Sequence, residues 1–545
     1  MDVQAWQAVY VSGFAASSVA LAAWTIGERR SELARFAPVV ILLGLLAMAS
    51  TIVVAQGEAG DRLFVLARDL LVQAGMAYAV RLLVKHPRVL WPALVVVGIV
   101  YYLYYREEQR ADLIEAITPQ TQFVGAAAAP LSTAVDAARL DPAGEYLLQF
   151  RDPSQVSPAR AALADEGIRL ERAFGGLVQS PGTDPAAYRA LSAVYAADVP
   201  DDYAGDAAAL LAGLPGGVYA EGNEVVQVAP LRRGPVLEPA RGLAGPTDPA
   251  AIGLDDPEVT RQWALTAWPY AAFAKTTEAL RDRLQPALLY VLDSGVDASH
   301  PDLAANFRSH GDYGDRDGIG HGTHVAGIAA AVARNGQGVA GWLPAGKHDI
   351  KVSSIRVIGP LGFGTQRSIV QGIIDAANAG AAVINLSLGG RSTDARQRVY
   401  ADAVRYANER GAIVVVAAGN SRVDARSYAP ANTPGVIAVA ALDNTLAQAG
   451  FSNDVDGLEM GVWAPGHDIY STVPNGGYAP FSGTSMAAPQ VAGLLTVAKA
   501  IDPELTTREA YRLLQRSVAA APAGSRERPD VVEPGRFLES VARGR

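Results

Sequence analysis

Ala287-Leu-Leu-Tyr-Val-Leu-Asp293 is a continuous apolar run that ends in an acid. Alternating polarity would mark a strand with one wet face. An unbroken run marks a strand buried on both faces, as in a parallel sheet covered by helices. Asp293 then stands at the carboxyl end of its strand, the edge where open α/β sheets gather their ligands. Ile413-Val-Val-Val-Ala-Ala-Gly-Asn420 has the same form and ends in a side-chain amide, and Val383-Ile-Asn-Leu-Ser-Leu-Gly389 adds a third strand. The fold class expected is α/β, a mainly parallel sheet flanked by helices.

Two helix starts join these strands. His321-Gly-Thr-His-Val-Ala-Gly opens a small-residue apolar stretch over 321–333, and Gly483-Thr-Ser-Met-Ala-Ala-Pro opens another over 485–500. The backbone N–H of Ser485 then lies among the unpaired donors of a helix start, where the dipole favours an oxyanion. Pro489 is expected in the first turn, where a missing N–H costs little. Each residue has a plain reading alone: Asp293 a turn residue, Asn420 half of a Gly-Asn turn, Ser485 a cap, His321 with His324 a metal pair. In this order, however, they supply a carboxylate, an imidazole and a hydroxyl. A serine oxygen is a poor nucleophile until a base takes its proton, and that base needs a carboxylate to hold its tautomer. Two other patterns fail. No Gly-Lys-Ser/Thr follows the Gly359 loop, and Ala487 stands where a G-x-S-x-G elbow needs glycine.

The residues around Asp293, His321 and Ser485 resemble the motifs of the subtilisin-like serine proteases, and the resemblance covers 256–519. It implies a peptidase in which Asp293 orients the base and His321 is general base, then acid. Ser485 is the nucleophile, and Asn420 with the Ser485 N–H holds the oxyanion. It makes His324 structural. It also implies that Ser387, Leu388 and Gly389 form one edge for extended substrate backbone, with Gly362 and Gly364 of Gly359-Pro-Leu-Gly-Phe-Gly364 opposite. Gln262-Trp-Ala-Leu-Thr-Ala-Trp268 resembles the start of many mature domains of this family. The stretch 271–285 is long and charged for its place and is read as a surface helix. No cofactor is required. Calcium stays open without assigned residues, because no dense oxygen-ligand motif is present. The rival reading is a membrane-tethered, non-catalytic binding protein on a protease scaffold.

At 545 residues and 50% hydrophobic, the chain has room for more than one domain. The apolar excess lies near the start. Segments 6–26, 38–55 and 89–105 carry no formal charge and are long enough to cross a bilayer, and 63–84 is a fourth span holding Arg68 and Asp69. Arg29, Arg30 and Arg35 lie between the first two spans, and Lys85 and Arg88 between the last two. Four spans with this bias place both termini outside the cytoplasm. A three-span arrangement would reverse the C-terminal part. The expectation is thus a multi-pass membrane protein, in contact with lipid through 1–105, with its catalytic domain extracytoplasmic.

A connector, 106–144, leads to a small α+β unit, 145–228, expected as strand (145–150), helix (158–166), strand (167–174), helix (185–197) and extended chain (217–228). This order resembles the inhibitory pro-domain of subtilisin-like proteases; the alternative is an accessory domain of other purpose. A Pro- and Gly-rich linker, 229–255, follows, and a polar tail is expected over 520–545. Absence of cysteine excludes disulfides and thiol catalysis, and a net charge of −9 argues against nucleic acid as a partner. The partner expected is a protein or peptide substrate.

Overall fold

A computed structural model describes residues 145–228 and 253–544, apart from 180–184, 201–202, 204, 312–313, 345, 347, 360–361, 393–397 and 519–530. The four expected spans, the connector and most of the linker lie outside the described residues. Among the described residues, no helix is long and apolar enough to cross a membrane.

The small unit comprises β1 (Glu145–Phe150), α1 (Val156–Asp165), β2 (Arg169–Arg172), α2 (Ala186–Ser192), β3 (Val194–Asp198), α3 (Ala207–Ala212), β4 (Gly217–Gly222) and β5 (Val225–Gln227). Its first four strands make an antiparallel sheet in the order β2-β3-β1-β4. The expected helix over 185–197 is therefore only half right. Ser192 ends it, and Val194-Tyr-Ala-Ala-Asp198 is the strand that pairs with both β1 and β2. Alanines carry little strand propensity, so tertiary pairing rather than local preference decides that segment.

The period-2 pattern of this sheet serves two cores. Leu148, Phe150, Tyr195 and Ala197 pack with Val156, Leu163 and Leu211 of the unit's own helices. Leu147, Val194 and Ala196 point the other way and join the core of the larger part. One face is thus covered by its own chain and the other is a docking face.

The larger part comprises α4 (Trp263–Ala267), α5 (Tyr270–Ala279), β6 (Ala287–Asp293), α6 (His321–Ala330), β7 (Ile350–Arg356), β8 (Phe363–Thr365), α7 (Gln366–Asn378), β9 (Val383–Leu386), β10 (Gly390–Arg391), α8 (Arg398–Asn408), β11 (Ile413–Ala417), β12 (Tyr428–Ala429), β13 (Val436–Leu442), β14 (Gly461–Pro465), β15 (Ile469–Val473), β16 (Gly477–Phe481), α9 (Thr484–Ile501), α10 (Thr507–Arg516) and α11 (Pro534–Arg543). A parallel sheet runs in the order β14-β13-β11-β9-β6-β7. β6, β9, β11 and β13 are buried at every position, which is why their sequences show no alternation. Helix α9, buried along its whole length, packs on β9, β11, β13 and β14 and on α6. Helices α7 and α8 pack together against the sheet.

Three sequence expectations need correction. Pro489 lies inside α9, not in its first turn. Its missing N–H leaves the carbonyl of Ser485 without its usual intrahelical donor, and the Ser387 hydroxyl fills that vacancy at 2.9 Å. The expected polar tail over 520–545 also contains α11, which buries Phe537, Leu538 and Val541 and packs on α5. The stretch 271–285 is accordingly no free surface helix, since Phe273, Thr276 and Thr277 are buried.

Candidate active site

Asp293 ends β6, His321 begins α6, Asn420 follows β11 and Ser485 lies in the first turn of α9. The fold brings these strand ends and helix starts to one edge of the sheet, as the apolar runs imply. His321 Nδ1 lies 2.8 and 2.9 Å from the two oxygens of Asp293, and both residues are buried. The approach of α6 to Asp293 requires glycine next to the histidine. A Cβ on Gly322 would lie 2.1 Å from the Gly295 carbonyl oxygen.

Burial pulls the His321 pKa down, but the adjacent Asp293 charge and hydrogen bond, with a further contribution from Asp317, outweigh it and leave the pKa raised. Nδ1 is committed to Asp293, and Nε2 has no hydrogen-bond partner. An imidazole held this way can accept a proton only at Nε2. The Ser485 hydroxyl donates to the Ser387 carbonyl at 3.1 Å, so the serine–histidine hydrogen bond is not formed in this arrangement.

Asn420 Oδ1 accepts from the backbone N–H of Thr484 (2.8 Å) and from its hydroxyl (3.0 Å). These two donors fix which way the amide points and leave its NH₂ toward the start of α9. Gly483 lets it approach, for a Cβ there would lie 3.2 Å from Asn420 Nδ2.

The sequence reading missed Asp317 and Ser294. Asp317 accepts from Ser294 Oγ, from the N–H groups of Ile319, Gly320 and Thr323, and from the Thr323 hydroxyl, at 2.7–2.9 Å. The Ser294 N–H bonds Asp293 Oδ1 at 2.7 Å, and its hydroxyl accepts from Gly322 N–H at 3.0 Å. One carboxylate therefore caps the helix that carries His321 and ties it to the strand end that carries Asp293. The signal available was an acid four residues ahead of His321, too common a spacing to single out.

His324 is fully buried, stacked on Phe481, and its Nε2 faces the Ala479 carbonyl at 2.9 Å. Burial drives its pKa down to about 3, so it stays neutral. Among the described residues, no group of three or more His, Cys, Asp or Glu side chains is placed to hold a metal. One oxygen cluster among the described residues is Asp256, Asp302 and Asn335. There the carboxylates already accept from the N–H groups of Arg334, Asn335 and Val339 and from the Asn335 amide, at 2.8–3.0 Å. These contacts hold both carboxylates by N–H donors, and calcium enters no step below.

Within the expected substrate edge 387–389, the Ser387 side chain bonds the Ser485 carbonyl of α9, and Leu388 is buried. Opposite them, β8 carries Gly364, flanked by Gly362 with φ +83°. This edge is occupied by the chain itself. β5 pairs antiparallel with β8, setting Val225 against Thr365, Val226 against Gly364 and Gln227 against Phe363, and the Val228 N–H donates to the Gly362 carbonyl at 3.3 Å.

Comparison with known proteins gives the family. The profile of the subtilase family matches residues 287–533. Thermitase of Thermoactinomyces vulgaris is 43% identical over 213 residues, 38% of this chain and 73% of that protein. The chain belongs to the subtilase family. It is a serine endopeptidase. Subtilisin DY of Bacillus licheniformis is 40% identical over 226 residues, covering 40% of this subtilase and 78% of the relative. Among solved structures, fervidolysin from Fervidobacterium pennivorans, described as a keratinolytic enzyme related to subtilisin, superposes with a TM-score of 0.56 at 26% identity. The superposition covers 73% of this chain and 61% of that one. That share exceeds the family-matched stretch and so takes in residues beyond the catalytic part.

Proposed function

We propose that this subtilase is a membrane-anchored endopeptidase held silent by its own middle domain, with the catalytic domain facing away from the cytoplasm. The observation that carries the reading is β5 on β8. An extended segment of the middle domain already makes the main-chain bonds that a substrate would make by strand addition.

Catalysis then follows from the site. Once the middle domain leaves, the Ser485 hydroxyl turns from the Ser387 carbonyl to Nε2 of His321. Its oxygen attacks the scissile carbonyl while His321 takes the proton, and Asp293 stabilises the imidazolium. The Asn420 amide and the Ser485 N–H hold the oxyanion. His321 then hands its proton to the leaving amine, and water repeats the sequence on the acyl-enzyme. Ser387, Leu388 and Gly389 on one side, with Gly362 and Gly364 on the other, hold the peptide extended.

The membrane anchor rests on the uncharged segments 6–26, 38–55 and 89–105 with the fourth span at 63–84, and orientation rests on the arginines and lysines between them. Linker 229–255 lies between the middle and catalytic domains, where cleavage would both free the site and cut the tie to the bilayer. Wild-type protein should therefore yield a fragment beginning within this linker, while Ser485→Ala accumulates full-length chain in the membrane. N-terminal sequencing of both, with a reporter fused at the C-terminus to read topology, is the test. An active enzyme left uncut through the linker, or a reporter on the cytoplasmic side, sinks this reading.

Asn420→Ala removes one oxyanion donor and leaves the other groups in place. Turnover should fall by about 10²–10³ with little change in the Michaelis constant, because that bond strengthens in the transition state. Steady-state kinetics on a peptide substrate measures both, and an unchanged turnover would mean that another donor fills the place.

A further inference from the structure

The docking face of the middle domain carries acid where a buried interface would be expected to carry none. Glu221 of β4 is 4% exposed, and Asp402 of α8, across the seam, is 9% exposed. Glu224, in the turn after β4, is buried beside them and accepts from the Ser392 hydroxyl at 3.4 Å. Glu221 Oε1 accepts the backbone N–H of Val399, in the first turn of α8, at 3.2 Å. Its Oε2 has no partner, and neither has the hydroxyl of Tyr400, which is fully buried in the same seam.

From α8, Arg398 sits 5.6 Å from the Tyr219 ring of β4 and acts on Glu221, while Arg405 Nη1 lies 3.7 Å from Asp402 Oδ1. From β1, the Gln149 amide donates to Asp402 Oδ2 at 3.3 Å. A bare carboxylate facing two others in such a place repels them and loses its hydration, whereas a protonated one does neither. Beside this seam the contrast is clear. Arg367 of α7 pairs with Glu145 at 2.6 Å and Glu171 at 3.0 Å, so those acids of the middle domain are neutralised where they dock.

We infer that this seam is a proton-operated latch. Glu221 must carry a proton for the middle domain to sit against α8, so docking, and with it occupation of β8, loosens as the pH rises. Activity would then be set by the pH of the compartment the catalytic domain faces, without a histidine or a second protein. The inference rests on the inhibitor reading for its consequence and on the seam alone for its mechanism.

The direction follows from linkage. Burial lifts the Glu221 pKa from 4.5 to about 8; the Val399 N–H and Arg398 oppose the rise, while Glu224 and Asp402 add to it. Asp402 is raised too, chiefly by burial, against Arg405 and Gln149. In the open state Glu221 returns to water and to its ordinary range. Docking therefore retains a proton that opening releases. Its contribution is complete below about pH 4.5 and is lost as the pH rises through about 8. Between these limits the opening equilibrium should grow by about tenfold per pH unit.

The test uses the full-length chain carrying Ser485→Ala, so that no linker is cut. Hydrogen exchange of the Val225–Gln227 strand, divided by the intrinsic rate at each pH, reports opening. We expect it to rise about thirtyfold from pH 6 to 7.5 in this background, the span that one released proton gives. With Glu221→Gln added it should be flat, since the amide copies the protonated acid. Asp402→Asn, which removes one repelling charge, lowers the docked-state pKa of Glu221, so the same rise should level off at a lower pH. Equal pH dependence with and without Glu221→Gln overturns the latch, and so does an unmoved profile in Asp402→Asn. Opening that follows pH without any onset of hydrolysis in wild-type protein would keep the latch and sink the inhibitor reading instead.

Discussion

Replacing Ser485 with alanine lowers turnover by about 10⁶, the loss expected when a serine nucleophile is removed and only binding and the oxyanion donors remain. The side chain is 3% exposed and sits in the first turn of a helix buried throughout, where alanine is an excellent fit. Folding should therefore be intact, and the lost rate can be assigned to chemistry. The hydroxyl donates only to the Ser387 carbonyl. That carbonyl lies at the site and loses one donor on substitution, at a cost to stability on the order of 1 kcal/mol. Single-turnover hydrolysis of a peptide substrate by enzyme cut through the linker in trans measures the effect. More than a tenth of the wild-type rate would show that Ser485 is not the nucleophile.

Asp293→Asn comes next in size, with a fall of about 10⁴ in turnover. Both oxygens of Asp293 lie within 2.9 Å of His321 Nδ1, and Oδ1 also accepts the Ser294 N–H. The asparagine oxygen can keep the Ser294 bond, which turns its NH₂ toward Nδ1. The imidazole must then carry its proton on Nε2, where it can accept nothing from serine. The variant also removes the charge that outweighs burial and raises the His321 pKa, so the imidazolium formed during attack loses its support. Pre-steady-state kinetics with a near-ultraviolet spectrum to verify the fold would check this. A loss of less than tenfold would mean that another group orients His321.

Legibility followed the length over which a constraint repeats. β6 and β11 could be read because every position must be apolar, and His321 and Ser485 because each opens a helix made of small residues. What escaped depends on single contacts made across long separations. Asp317 is recognisable only when its oxygens are seen between Ser294 and Thr323. β3 is short and alanine-containing and owes its form to its two neighbours. Glu221 and Asp402 look like ordinary surface acids, because their burial is created by two domains meeting. Pro489 misled because the place of a proline in a helix depends on where the helix begins, and the compensating donor, Ser387, lies 98 residues from the Ser485 carbonyl it satisfies.

The pairing of α11 with α5 joins stretches that lie far apart in the chain. Trp268 hands its indole N–H to the Val532 carbonyl, and Phe537 and Leu538 lie fully buried in the same core as Phe273. The aromatic group of Trp268, Tyr270, Phe273 and Trp342, whose rings meet at 4.9–5.3 Å where they touch Trp342, is therefore closed by a segment 264 residues further along the chain. A protease that stripped α11 away would leave greasy aromatic surface open to its surroundings. The two far-apart stretches act as a clasp, and the catalytic domain keeps its aromatic group dry only while both halves of that clasp are present.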